Sequence, residues 1–391
     1  MSVRLELRRE HARFGPAQGP WIRRRQVARI FGPPDPSALA ALHDPKGSIV
    51  GWGLYSPESE IPLRIVTFGA APPPEGWLLE RLDAALAARQ ALGLEASGTT
   101  GYREVNSEGD GLPGLVVDRY GRDRVVQITT AAMAARLPAL RGALAARTPG
   151  RVLVTAPTQA AAREGFTLDD EAAADPAPLE FAEYGLPFRV PAPPSQKTGA
   201  YFDQRDNRRL VAALAASVGG GLLDLGTHVG GFALHAARLG VATAGVDQSA
   251  SALAGAADNA ARAGLAERCA WVQADLFGAL DDPALAGPFG TVVVDPPKIA
   301  SSPRDLGKAL GALGACLSRV RRRLVPGGFL VVCSCSHHLG REHLDQALLA
   351  GGGGSGAFTR IHALGPGPDH PVQPGHVEGE YLRVNVYQRR A

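Results

Sequence analysis

The sequence predicts an α/β protein whose C-terminal half is a doubly wound, mostly parallel sheet, preceded by a small β-rich domain and a small α/β domain. Three observations predict it. The stretch Leu222 to Phe232 (LLDLGTHVGGF) runs from an apolar strand through a glycine turn into a helix start. Downstream of it, apolar strands alternate with helical segments, the pattern of repeated strand–helix–strand units. Upstream of about residue 70, the chain is a series of short strand-like pieces punctuated by Gly and Pro.

A chain of 391 residues is expected to hold two or three domains. With 45% hydrophobic and 20% charged residues it has the composition of an ordinary soluble globular protein. No uninterrupted apolar run of about 18 residues is present, so no membrane partner is expected. The opening MSVRLELRRE has no apolar core and does not read as a secretory signal, which makes the cytoplasm the expected compartment. The four cysteines, Cys269, Cys316, Cys333 and Cys335, form no CxxC pair. Their spacing suits neither a zinc site nor a disulfide framework; reduced thiols and no metal are expected. A net charge of +3 says little about partners, but the charge is uneven. Arg23, Arg24, Arg25 and Arg29 crowd near Trp21, and Arg319, Arg321, Arg322 and Arg323 crowd near a helix end. Either cluster suits a phosphate backbone; the alternative is a solvated helix end, where cations complement the helix dipole.

In chain order, Val3 to Leu7, Ser48 to Leu54 and Leu63 to Val66 read as strands of the β-rich domain, residues 1–70. Trp77 to Leu92 places Leu78, Leu82, Leu86 and several alanines on one helical face and opens a central α/β domain, residues 71–190. Its strands are expected at Tyr102 to Asn106, Leu115 to Val117, Val125 to Thr129 and Arg151 to Val154, with Pro138 in the first turn of a helix that runs to about Ala146. Ala172 to Pro178 reads as a loop, Leu179 to Val190 as a hairpin turning at Tyr184-Gly185, and Pro191 to Pro194 as a stiff connection. The last domain is placed at residues 191–391. Its strands are expected at 221–225, 241–246, 270–273, 290–294 and 328–333, with helices such as Ser249 to Ala263 and Leu306 to Leu324 between them, and a glycine-rich surface loop at Gly351 to Gly356.

Ligands of open parallel sheets bind beyond the carboxyl ends of the strands. In order, those ends carry Asp224 with the turn glycines Gly226 and Gly230, then Asp247-Gln248, then Asp275, then Asp295-Pro-Pro-Lys298, then Cys333-Ser-Cys-Ser336. The form D-x-G-x-x-x-G is not the dinucleotide fingerprint GxGxxG and is more usual for S-adenosylmethionine. Asp247 stands where a nucleotide site places a carboxylate for ribose hydroxyls. Asp275 suits an adenine amino group, or simply a helix N-cap. Two prolines after Asp295 fix an extended exit whose carbonyls are free for a flat base.

Cys335 is the sharpest candidate for chemistry. Carbon 5 of cytosine is a poor nucleophile until a thiolate adds at carbon 6 and makes it enamine-like; methylation, loss of the carbon-5 proton and expulsion of the thiol then follow. Asp295 would hold the ring through N3 and the exocyclic amine. The alternative for Cys335 is a small buried apolar residue. Cys333 is the competitor, set farther back from the strand end; Cys269 and Cys316 read as core.

These segments together resemble the bacterial large-subunit ribosomal RNA cytosine-C5 methyltransferases that carry an N-terminal PUA domain. The resemblance spans nearly the whole chain. It rests on Gly19-Pro-Trp-Ile22, on Gly51-Trp-Gly-Leu-Tyr-Ser-Pro-Glu-Ser-Glu60, on the long run Glu108 to Gly121 (EGDGLPGLVVDRYG), on Gln196 to Arg208 (QKTGAYFDQRDNR), on Asp295-Pro-Pro-Lys298 and on Ser334-Cys-Ser336. It implies a Rossmann-like class I methyltransferase domain behind a PUA domain and a central domain, S-adenosylmethionine as cofactor, and structured RNA, 23S rRNA, as partner. By matching positions, Cys335 would be the nucleophile and Asp295 the base-binding acid. Asp224, Gly226, Gly230, Asp247, Gln248 and Asp275 would hold the methyl donor, with Asp295 at its edge. Trp21, Arg23, Arg24, Lys197, Arg205 and Lys298 are the expected RNA contacts, and a homodimer is left open. The glycine turn departs from the family: His228 replaces an aromatic residue, and Gly226 a larger one. Two other readings stay open. A nitrogen methyltransferase of the same fold would need no cysteine, and an RNA-binding assembly factor would keep the fold without the chemistry. A dehydrogenase is disfavoured by the missing GxGxxG.

Overall fold

The computed structural model describes residues 3–168, 177–192, 199–352 and 356–390. The chain divides into two compact units, and neither is contiguous. The first takes Met1–Gly185, Pro191–Ala200 and Pro368–Gly379; the second takes Leu186–Val190, Tyr201–Gly367 and Glu380–Ala391. Of the two expected N-terminal domains, residues 1–185 fall in the first unit, whereas 186–190 fall in the second. The return of Pro368–Gly379 to it has no sequence signal.

In the first unit, β1 (Arg4–Leu7), β2 (Trp21–Ile22), β3 (Val27–Phe31), β4 (Leu39–His43), β5 (Ile49–Tyr55) and β6 (Leu63–Phe68) form a six-stranded sheet in the order β2-β6-β5-β4-β1-β3. β1 shows the reason: Leu5 and Leu7 are buried, while Arg4 is exposed and Glu6 half-buried, the two-residue period of a half-covered strand. Leu5, Leu7, Ile22, Leu42, Leu63 and Ile65 fill the core beneath it, each contributing about 2 kcal/mol by removal from water. Gly53 is dictated by close approach, since a Cβ there would lie 2.4 Å from the Arg64 carbonyl oxygen.

A second sheet of this unit, in the order β10-β9-β8-β7, consists of β7 (Gly101–Asn106), β8 (Leu115–Tyr120), β9 (Asp123–Ile128) and β10 (Val152–Thr155). The helix Trp77–Ala91 buries Leu82 and Ala85 in the same core as Val105, Leu115, Val117 and Val126, with Leu78 and Leu86 packed at its margin. Buried and half-buried arginines are matched to carboxylates: Arg89 to Asp110, Arg103 to Asp118 and Arg124 to Glu104. Such pairs offset the cost of burying charge and fix one arrangement of the elements they join. β11 (Leu179–Glu183) follows, with Leu179, Phe181 and Glu183 buried in alternation.

The second unit opens with β12 (Leu186–Val190) and holds a seven-stranded sheet in the order β15-β14-β13-β16-β17-β19-β18. Its strands are β13 (Leu222–Leu225), β14 (Thr243–Asp247), β15 (Cys269–Gln273), β16 (Phe289–Val294), β17 (Leu324–Ser334), β18 (Phe358–Leu364) and β19 (Arg383–Arg389). β13 to β17 are parallel to their neighbours among one another, whereas β19 runs antiparallel to both β17 and β18. β13 and β16 are buried along their whole length, as continuous apolar runs covered on both faces must be. The first-described strand of the sequence, β13, is central, with β14 on one side and β16 on the other. That is the switch point at whose carboxyl edge such sheets bind ligands. β18 and β19 were not expected from the sequence. The apolar pattern of β19 is broken by Asn385, which is nevertheless buried because its amide donates to Asp345 and Tyr387. No helix among the described residues is long and apolar enough to cross a membrane.

Candidate active site

The glycine turn after β13 sets the first half of the site. Asp224 is fully buried. Its Oδ2 accepts from the Thr227 hydroxyl at 2.7 Å and from the Ala233 amide at 3.2 Å, while Oδ1 has no hydrogen-bond partner. Burial pushes the carboxyl up to about 6, against the lowering effect of its hydrogen bond from Thr227. A buried acceptor left open in this way fits a cationic donor group from a ligand. Because the folded pKa lies above the unfolded one, Asp224 keeps a proton between about pH 4 and 6 that the unfolded chain has lost. Its contribution to stability therefore falls as pH rises through that window. Asp224→Asn is expected to raise the melting temperature more at pH 8 than at pH 5, with a stability gain on the order of 1–3 kcal/mol at pH 8. An equal shift at both pH values in calorimetry would contradict this.

Gly226 sits at φ +85°, and a Cβ there would lie 2.1 Å from the carbonyl oxygen of Asp295. The turn and the end of β16 thus touch through bare backbone. Gly226→Ala is expected to cost at least about 2 kcal/mol in urea unfolding, from the left-handed conformation and the clash together; a cost under about 0.5 kcal/mol would show that the turn can relax. Gly230, at φ +89°, lies where a Cβ would be 3.0 Å from the Trp271 ring. His228 is a non-glycine residue at φ +51°. Its amide donates to Asp247 Oδ2 at 3.0 Å, and the Ser249 amide donates to Asp247 Oδ1 at 2.9 Å. Two fixed N–H groups therefore orient the Asp247 carboxylate at the end of β14. Asp275 is exposed, and its Oδ1 accepts from the Phe277 amide at 2.9 Å and from Gln248 Nε2 at 3.3 Å. The helix-cap-like role and a free second oxygen coexist in it.

The second half lies at the ends of β16 and β17, which pair in parallel with Val294 opposite Val332. Asp295 follows β16 and is half-buried; its Oδ2 accepts from Gln204 Nε2 at 3.3 Å. The Gln204 amide is held the right way round by Asn207, whose Nδ2 donates to Gln204 Oε1 at 2.7 Å and to the Gly365 carbonyl at 3.0 Å. β17 ends at Ser334, so Cys333 lies inside the strand and Cys335 beyond it. Cys333 is fully buried in the core, and burial, with the charge of Asp295 next, pushes its thiol well above the usual range. Cys335 is half-buried at the open edge. Cys316 belongs to the core, its thiol pushed up to about 11 by burial.

Tyr201 ties the two halves together. Burial, followed by the negative charges of Asp295, Cys335, Asp203 and Asp247, pushes its hydroxyl up to about 12, and its ring meets that of His228 edge-on at 5.1 Å. Tyr201 and Gln204 were not singled out from the sequence, although both lie in the Gln196 to Arg208 segment. Their phenol and amide side chains carry no signature of chemistry until the fold sets them near Asp295.

The expected RNA contacts separate. The Trp21 indole N–H donates to Glu108 Oε1 at 2.7 Å, leaving one edge of its ring at a cavity that Arg23 also lines. Arg24 spends its guanidinium on the carbonyls of Pro57 and Ser59. Lys298 is exposed beside the Asp295 motif. Lys197 lies outside the described residues. The expectation for Arg205 is corrected: it is fully buried, its Nε 3.2 Å from Asp206, so it does not reach an RNA backbone. Of the second arginine cluster, Arg319, Arg321 and Arg323 donate to the carbonyls of Phe277, Gly351 and Leu280; they brace loops.

A central glycine turn, carboxylates at successive strand ends and the strand order of this sheet define a class I S-adenosylmethionine-dependent methyltransferase fold behind a PUA-like β domain. The model of the S-adenosylmethionine-dependent methyltransferases matches residues 142–358, and that of PUA-like domains residues 5–68. The chain belongs to this methyltransferase family, and it is dependent on S-adenosylmethionine. Over nearly its full length it is 35% identical to a "Ribosomal RNA large subunit methyltransferase" of Deinococcus radiodurans, with 94% of this chain and 93% of the relative covered. It is 33% identical to a "Ribosomal RNA large subunit methyltransferase I" of Photobacterium profundum, with 96% and 95% covered. In fold it matches a crystal structure of a methyltransferase complexed with SAH at a TM-score of 0.81 and 16% identity, over 99% of this chain and 100% of that one. It also matches a SAM-dependent methyltransferase from Streptococcus mutans at a TM-score of 0.76 and 16% identity, with the same coverage.

Proposed function

We propose that the protein methylates carbon 5 of a cytosine in large-subunit (23S) ribosomal RNA through a covalent Cys335 adduct. The names of the relatives, which match it end to end, support the RNA substrate. The observation that carries the chemistry is the half-buried thiol of Cys335 past the end of β17, on the same sheet edge as the carboxylate of Asp295 past the end of the neighbouring β16.

The residues present fit the cofactor. The open oxygen of Asp224 would take its ammonium group, the fixed carboxylate of Asp247 its ribose hydroxyls, and Asp275 with Gln248 its adenine edge. When bound, S-adenosylmethionine supplies an electrophilic methyl group and leaves as the thioether. The thiolate of Cys335 adds to carbon 6 of the cytosine, and the electron pair of the 5,6 double bond is released to carbon 5. Asp295 accepts from the exocyclic amine and, in its protonated form, delivers a proton to N3, which takes up the negative charge that thiolate addition leaves on the ring. After methylation, a base removes the carbon-5 proton, the double bond re-forms, and the thiolate is expelled. The target base is turned out of its stack to enter such a crevice, and the remainder of the RNA is gripped by shape and phosphates.

The test is mass spectrometry of nucleosides from ribosomal RNA incubated with the protein and isotopically labelled S-adenosylmethionine. The expected product is labelled 5-methylcytidine. A labelled methylguanosine instead would favour the nitrogen methyltransferase.

A further inference from the structure

The first unit contains a polar cavity of about 190 Å³ lined by His11, Gln18, Trp21, Arg23, Arg25, Gln26, His376 and Glu378. It is small beside the roughly 300–1,000 Å³ of sites for larger organic ligands. Its lining is dominated by donors whose direction is fixed. Gln18 Oε1 accepts the Gly15 amide at 2.8 Å, and Gln26 Oε1 accepts the Arg23 amide at 2.8 Å. An oxygen must face a backbone N–H, so both side-chain NH₂ groups are left to donate elsewhere. Arg25 is exposed and forms no ion pair among the described residues; Arg23 pairs with Glu378, and His376 Nδ1 lies 3.4 Å from Glu378 Oε2. His376 is buried, its ring meets Trp21 edge-on at 4.7 Å, and its Nδ1, turned toward Glu378, makes no hydrogen bond among the described residues.

The cavity is also braced from behind. Trp21 donates to Glu108 at 2.7 Å, Glu108 lies 3.9 Å from Arg64, and Arg64 pairs with Glu164 at 2.8 Å. All three of these charged residues are buried. A buried chain of this kind holds the indole in one orientation. The far wall comes from Pro368–Gly379, which reaches the cavity after an excursion of the chain through the second unit.

We propose that this cavity is a phosphate-binding subsite that takes one phosphodiester group of the RNA strand. Oriented amide donors, an unpaired guanidinium and a buried imidazole next to it match the acceptor-only surface of a phosphate, and an arginine's planar fork suits two of its oxygens. The inference rests on the RNA reading above and adds the place where the N-terminal unit holds the backbone.

Gln26→Glu keeps the oxygen that caps the Arg23 amide and turns the cavity-facing donor into an acceptor with negative charge; Arg25→Gln removes the cation alone. Binding is measured by fluorescence anisotropy with a labelled hairpin of large-subunit ribosomal RNA over a salt series, with calorimetric binding of S-adenosylmethionine as the control for folding. Each variant is expected to lose roughly tenfold in RNA affinity, and Arg25→Gln to reduce the slope of log K against log salt by about 1, with donor binding unchanged. If the wild type binds the hairpin and both variants stay within about twofold of it, the subsite is wrong and the RNA reading stands. If free inorganic phosphate displaces the hairpin at equal phosphate concentration, the cavity serves a small anion and the inference is likewise overturned. If the wild type binds no ribosomal RNA at any salt concentration, both fail.

Discussion

Cys335→Ala is expected to lower methyl transfer to RNA by at least about 1,000-fold, because no other group near the ring can activate carbon 5 and the uncatalysed route has no nucleophile. Donor affinity should change little, as the thiol adds to the base and not to the cofactor. Scintillation counting of tritiated methyl groups in ribosomal RNA measures the first quantity and calorimetry the second. Activity within tenfold of the wild type would remove the adduct from the mechanism and turn attention to ring or exocyclic nitrogens. Cys333→Ala is the matched comparison. Its thiol is sealed in the core and held in its neutral form by burial, so the substitution is expected to affect stability more than turnover.

Asp295→Asn is expected to cost roughly 100- to 1,000-fold in kcat/KM, since the amide nearly keeps the shape but has no proton to transfer to N3 and leaves the anionic adduct unneutralised. Gln204→Leu should lose less, on the order of 10-fold, because it removes one bond that orients the carboxylate without removing the carboxylate. Single-turnover kinetics on the same RNA separates the two: Asp295→Asn should slow the chemical step itself. If Asp295→Asn leaves that step unchanged, the acid serves the fold and not the base.

Much of this arrangement was legible in the sequence, for identifiable reasons. Parallel strands covered on both faces read as plain apolar runs, so β13, β16 and the helices between them follow from periodicity. Their carboxyl ends follow from the residues that interrupt those runs, and Asp224, Asp247, Asp295 and Cys335 are such interruptions. What escaped depends on tertiary partners. β19 hides a buried Asn385 that its bonds to Arg341, Asp345 and Tyr387 make tolerable. Gln204 and Tyr201 have unremarkable side chains whose role appears only beside Asp295. Arg205 looks like a surface cation because nothing in a linear pattern marks an arginine that is fully buried within a turn-and-helix start. Arg24 misleads in the same way, since its backbone acceptors at Pro57 and Ser59 are remote in the chain.

The excursion of Pro368–Gly379 bears on how this polypeptide can be dissected. No single scission separates the two units. An N-terminal fragment would strip the Arg103 amide of Asp369, Arg89 of the Asp369 carbonyl, and the Asn106 amide of the Pro371 carbonyl. Each orphaned donor costs about 1–3 kcal/mol where water cannot reach it. Ribosome synthesis from the N-terminus therefore delivers the anchor for the first unit only after the whole of Tyr201–Gly367 has been made, and completion of the first unit waits on the bulk of the second.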